Sequence, residues 1–161
     1  MNDEIYTLHR GTAPLLVSLP HDGSHIPQAL SERMTERARV APDTDWHVSI
    51  LYDFARELGA SVIVPRHSRY VVDLNRPPDD TSLYPGQNTT GLCPAVHSTG
   101  EPVYLEGRAP SPAEIAQRVD TYWRPYHEAL RGELDRIHGE HGRVVLWEGH
   151  SIRGRDLPFL F

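Results

Sequence analysis

The sequence contains no lysine and only one cysteine, Cys93. A lone cysteine excludes a disulfide within the chain and any zinc site built from several thiolates. A nucleophilic thiol would need His and Asn partners that the sequence does not single out, so Cys93 reads as a buried loop residue. Without lysine, all 16 basic residues are arginines, and 22 acidic residues outnumber them to give a net charge of -6. That balance argues against nucleic acid as a partner, because phosphate binding calls for a concentrated positive stripe. Long apolar runs are missing too: no stretch approaches the roughly 18 residues that would span a bilayer. The first eleven residues are acidic and lack the apolar core of a signal peptide. The expectation is a soluble, cytoplasmic protein with no membrane partner and an oligomeric state that the sequence does not set. At 161 residues with 39% apolar and 24% charged content, it has the size and composition of one globular domain.

What is present is an alternation of apolar strands and helical stretches. Leu15–Leu19 is a short unbroken apolar run closed by Pro20, suited to a strand buried on both faces. Residues 28–38 read as a short helix. A firmer helix follows, capped by Asp43 or Thr44, with Val48, Leu51, Phe54, Ala55 and Leu58 on its apolar face and Gly59 at its end. Ser61–Pro65 and Tyr70–Leu74 read as strands. From Asn75 to Pro110 the pattern dissolves into a long loop, of a length that is usually functional, with room for a hairpin at 102–105. Ser111, Pro112 and Glu114 then open a long helix with a capping box. Its stripe is Ile115, Val119, Tyr122, Trp123, Tyr126, Leu130, Leu134 and Ile137, and Pro125 should kink or split it. Gly142 ends the helix, and residues 144–147 form a buried strand.

The chemistry gathers at strand ends. His21 follows the first strand and His150 follows the last, so two imidazoles share one sheet edge if those strands are neighbours. Asp45 precedes the firm helix and faces the same edge. Two neutral imidazoles and a carboxylate leave a coordination position open, which is the catalytic pattern for Zn²⁺ and suits amide hydrolysis. Against this stand ordinary roles: a capped loop histidine for His21 or His150, and a helix cap for Asp45. In the segment 68–76, Arg69 and Arg76 flank Asp73 and Asn75, and each guanidinium is a planar fork suited to a carboxylate. A structural salt-bridge network explains the same residues equally well. His127, His138 and His141 lack metal-ligand spacing and read as packing or surface residues. The sequon at Asn88 has no chemical meaning without a secretion signal.

Several blocks in order resemble the N-formylglutamate amidohydrolase family: PLLVSLPHDGSHIP (14–27), DTDWHV (43–48), SRYVVDLNRPP (68–78), LYPGQNTTGLCP (83–94), YWRPYH (122–127) and His150-Ser151. The resemblance implies a three-layer α/β/α domain with a mostly parallel or mixed sheet, phosphorylase/hydrolase-like and related to zinc carboxypeptidases. It implies hydrolysis of N-formyl-L-glutamate to formate and L-glutamate in bacterial histidine degradation. It makes His21, Asp45 and His150 the Zn²⁺ ligands, with Asp43 the competitor for the middle place. Arg69, Asn75 and Arg76 become the substrate-binding residues. Arg69 and Glu148 become the catalytic candidates, Arg69 toward the oxyanion and Glu148 as a partner of His150 where family members carry Asp. The family runs on for roughly another hundred residues, so the expectation is an N-terminal part of the domain, with the general base beyond Phe161. Two other readings stay open: hydrolysis of another N-acyl amino acid, and an inactive truncated paralogue acting as a binding module.

Overall fold

The computed structural model describes residues 5–81 and 90–152. Asn88 of the sequon and the apolar end Leu157–Phe161 lie outside the described residues. The centre is a four-stranded mixed sheet of β1 (Tyr6–His9), β2 (Leu15–Ser18), β3 (Ser61–Pro65) and β4 (Val145–Glu148), in the order β1-β3-β2-β4. β2 runs parallel to both β3 and β4, and β1 is antiparallel to β3. The central pair, Leu-Leu-Val-Ser and Ser-Val-Ile-Val-Pro, are near-continuous apolar runs, as strands covered on both faces require. Leu16 and Ile63 pack on one face against Val119, Tyr126 and Ile137. Val17, Leu19 and Val62 pack on the other against Val48 and Ala55.

The helices are α1 (Gln28–Ser31), α2 (Glu36–Arg39), α3 (Val48–Leu51), α4 (Phe54–Glu57), α5 (Pro112–Arg118) and α6 (Arg124–His141). Between α5 and α6, Val119–Trp123 forms a π-helical turn. Pro125 therefore sits in the first turn of α6, where its missing N–H costs nothing, and the wide turn ahead absorbs the ring. Ser111 accepts the N–H of Glu114 as the capping residue. The Glu114 carboxylate turns instead to Arg33 and Arg118, so only half of the expected capping box forms. Gly142 closes α6 in a left-handed conformation at φ 68°.

Five expectations need correction. The helix of 28–38 is two separate turns, α1 and α2, because Thr35 caps a new start through Ala38 N–H. The helix expected from residue 43 begins only at Val48 and is interrupted at Tyr52-Asp53. His47 enters it at φ 67°, and neither Asp43 nor Thr44 caps it; Asp22 accepts Ser49 N–H from across the fold. Tyr70–Leu74 is apolar and buried but is not a strand. Ser68 Oγ accepts Tyr70 N–H and Asp73 Oδ1 accepts Asn75 N–H, and these local bonds bend the chain into turns. Among the described residues β4 borders the sheet and is exposed, where a buried strand was expected. At 102–105 there is no strand pair, although Val96–Pro102 forms an isolated bridge. β1 had no counterpart in the sequence reading. Cys93 is buried, and burial pushes its thiol up to about 11, as suits a packing residue.

Candidate metal centre

β2 and β4 are neighbours and parallel, so the segments that leave them emerge at the same end of the sheet. Beyond β2, Leu19 N–H still bonds Ile63 O, and the chain then turns through His21-Asp22-Gly23. A Cβ on Gly23 would lie 2.3 Å from His67 O and 2.8 Å from Pro65 O, so only glycine lets this turn lie against β3. Beyond β4, a Cβ on Gly149 would lie 2.6 Å from Leu19 Cδ2, and glycine again allows the close pass that delivers His150. Asp45 is brought in by a backbone bond, its N–H donating to His21 O at 2.9 Å.

The three expected residues meet. One donor atom from each of His21, Asp45 and His150 lies within 4.8 Å of the others. Nδ1 of His21 is 3.8 Å and Nδ1 of His150 is 3.3 Å from Asp45 Oδ2. The imidazole centroids are 4.9 Å apart. Behind His21, Nε2–H donates to Asp73 Oδ1 at 2.7 Å. Asp73 is fully buried, and burial raises its carboxyl. The His21 hydrogen bond and charge, with Arg69, outweigh burial and leave it far below the usual carboxylate range. An ionised Asp73 only accepts, so it fixes the proton of His21 on Nε2 and leaves the Nδ1 lone pair facing Asp45 and His150. This is the carboxylate–histidine pairing that orients ligands from behind. Asp45 follows the same balance, with burial opposed by the bond from His150, and its carboxyl is lowered. The donor set, its charge and its backing carboxylate fit a divalent cation.

The arginine segment is divided by the structure. Arg69 donates to Asp73 Oδ2 at 2.7 Å and borders a polar cavity of about 180 Å³, together with Asp43, Thr44, Asp45, Ser98 and Ser151. Asn75 lies 3.4 Å from His150 Nε2, close enough for its amide to orient that ring. Arg76 is not joined to the cluster by any hydrogen bond or ion pair among the described residues; its carbonyl accepts Trp123 Nε1–H, and its Nε is buried without a partner. Glu148 is exposed on β4, and no hydrogen bond joins it to His150 among the described residues. Asp43 is not a member of the cluster. It accepts hydrogen bonds from Tyr70 and Ser98, and Tyr70 also meets His97 Nδ1. The residue that sequence reading undervalued is Asp73. A pairing with one of the two flanking arginines was expected, and the structure makes it Arg69; its bond to His21, 52 positions away, was not expected. His127 donates to Leu74 O from α6 and packs on Trp123, which agrees with a packing role.

A model of the family described as N-formylglutamate amidohydrolase matches residues 13–160, and the chain belongs to that family. N-formylglutamate deformylase of Pseudomonas putida is 50% identical over 159 residues, covering 99% of this chain and 59% of the relative. The enzyme of that name from Pseudomonas aeruginosa is 48% identical with the same coverage. The chain thus spans about three-fifths of the length of these curated relatives. The crystal structure of N-formylglutamate amidohydrolase from Ralstonia eutropha JMP134 superposes with a TM-score of 0.77 at 26% identity, over 92% of this chain and 57% of that one.

Proposed function

We propose that this chain takes part in the hydrolysis of N-formyl-L-glutamate to formate and L-glutamate, a step of histidine degradation, at a zinc site made by His21, Asp45 and His150. The observation that carries the reading is the convergence of those three donors with Asp73 behind His21. The names of its Pseudomonas relatives supply the substrate. In this reading the chain folds as one domain of the zinc-carboxypeptidase-like kind and works in the cytoplasm. No helix among the described residues is long and apolar enough to cross a membrane.

The residues act as follows. When bound, the cation supplies Lewis-acid polarisation of the formyl carbonyl and lowers the pKa of water. Asp73 holds His21 in one tautomer, and Asn75 holds the ring of His150. Arg69, anchored on Asp73 at the rim of the polar cavity, donates to a substrate carboxylate or to the developing oxyanion, where a charge-assisted bond is strongest. Arg76 offers a second guanidinium to the substrate, in keeping with its place seven residues after Arg69.

The test is release of formate from N-formyl-L-glutamate, set beside release of acetate from N-acetyl-L-glutamate. It is run on this chain and on a version extended to the relatives' length. Zinc dependence is read by chelation and re-addition. Equal hydrolysis of both amides would remove the substrate assignment, and activity that survives His21→Ala would remove the site.

A further inference from the structure

The turns after β3 do more than back His21. Asp73 bonds His21 from this stretch, and Asn75 lies 3.4 Å from His150. A third residue of the same stretch, Tyr70, reaches toward the remaining ligand. Its hydroxyl donates to Asp43 Oδ2 at 2.7 Å, and Asp43 stands two residues before Asp45. Asp43 also accepts Ser98 N–H on Oδ2 at 2.9 Å and the Ser98 hydroxyl on Oδ1 at 2.7 Å. With its one proton committed to Asp43, the Tyr70 oxygen accepts from His97 Nδ1–H.

The segment that carries Asp45 needs such an anchor. Ala41 at φ 46° and His47 at φ 67° bracket it, both in the left-handed region that residues other than glycine avoid. A backbone of this kind persists only where the surrounding structure over-determines it. Inside the segment the bonds are short-range: Thr44 N–H donates to Ala41 O and Trp46 N–H to Thr44 O. Thr44 Oγ1 is buried without a partner among the described residues, so that side chain fixes nothing. Outside support includes His21 O, which accepts Asp45 N–H, and the three donors on Asp43. Tyr70 is itself 1% exposed, in one apolar cluster with Met34, Ala38, Ala41 and Tyr104. Packing therefore holds the ring, and the hydroxyl meets Asp43 from a fixed place.

We infer that Tyr70 is a positioning residue for Asp45: through Asp43, its hydroxyl fixes the segment 41–47 so that the Asp45 carboxylate faces His21 and His150. The stretch 68–75 is then a common template for the centre. It reaches His21 through Asp73, His150 through Asn75 and Asp45 through Tyr70 and Asp43. The effect on a bound cation rests on the proposed function, whereas the anchoring of Asp45 does not.

The experiment compares this chain with its Tyr70→Phe variant, which keeps the packed ring and removes the hydroxyl. Hydrogen exchange is followed in chelator. Co²⁺ affinity is read by competition, and the visible spectrum of bound Co²⁺ records its ligand field. The expected result is an Asp45 amide that exchanges about tenfold faster in the variant, while the amides of β3 keep their rates. Co²⁺ should bind about 10–100-fold more weakly, with an altered spectrum. Ser98→Ala, at an exposed position, removes one donor from Asp43 and should speed the Asp45 amide by a smaller factor. An Asp45 amide unchanged in Tyr70→Phe overturns the inference, whatever the affinity. Where Tyr70→Phe also speeds exchange in β3, Ser98→Ala decides, and an unchanged Asp45 amide there overturns it. An Asp45 amide released in a chain that takes up no Co²⁺ supports the anchoring and removes only the metal reading.

Discussion

The two ends of the sheet each bury a carboxylate tied to arginine, and they divide their charges differently. At the start of β3, Glu133 of α6 accepts from Ser61 Oγ and Arg136 Nη2, both at 2.6 Å, and from Arg136 Nε at 3.1 Å. Arg10 adds a second guanidinium at 3.3 Å, while Glu140 takes the outer side of Arg136. Two anions thus face two cations, and the network is saturated. At the other end, Asp45 and Asp73 face Arg69 and two imidazoles, so the described charges fall one cation short when the histidines are neutral. A closed network pins a helix to a sheet. An open one, held rigid by the same kind of bonds, is a receptor.

Removing a ligand should break the comparison most sharply. His21→Ala should weaken zinc binding by more than the 10–100-fold typical of losing a backing residue, and should also lower the metal-free melting midpoint, because buried Asp73 loses one of its partners; competition with a chromogenic chelator reads the first and calorimetry the second. Next in size is the closed end. Glu133→Ala leaves Ser61 without its buried acceptor and Arg136 with Glu140 and the Gly11 carbonyl, and should lower the denaturant midpoint of unfolding, with zinc affinity unchanged. An effect on zinc would mean that the two ends are not independent.

Asp73→Asn should fall between these behaviours, weakening zinc by about 10–100-fold while the chain stays folded. Full retention of affinity would reduce Asp73 to a partner of Arg69 alone. The smallest effect expected is in pH. His67, packed between His25 and Tyr122, is brought down to about 4 by burial, then by the charges of His25 and Arg66. Its folded value lies below its unfolded value, so its stabilisation is complete above about 6.5 and is lost as pH falls toward 4. Glu133 is also lowered: burial raises it, but its bonds to Arg136 and Ser61 prevail, so its contribution fades only below its ordinary value of 4.5. The site end should therefore loosen first on acidification, which exchange measured at pH 5 would detect. His67→Phe should flatten that early loss.

Much of this contrast was legible in residues and some was not. β2, β3 and the strand before His150 announced themselves as apolar runs, and Ser111, Pro125 and Gly142 marked the boundaries of the long helices. His21 and His150 stood out because each follows a strand, so neighbouring strands suffice to bring them together. Asp73 was misjudged because its partner depends on tertiary packing, and because Tyr70–Leu74 imitates a strand while its side chains bond the local backbone. The stripe from Val48 to Leu58 was read by its period alone. Only Val48 and Ala55 reach the core, since the left-handed residue His47 and the break at Tyr52 turn the rest outward.

The single thiol gives this turn a clock. Cys93 Sγ donates to Val71 O at 3.5 Å, and next to it Leu92 O accepts the N–H of Asp73 at 2.7 Å. At neutral pH the thiol is both protonated and shut away, so an alkylating reagent gains access only when this stretch lifts from Val71. The lift that exposes sulfur also parts Leu92 from Asp73. The rate at which one adduct mass appears is therefore a direct count of how often the support beneath His21 lets go, and a bound cation should slow it.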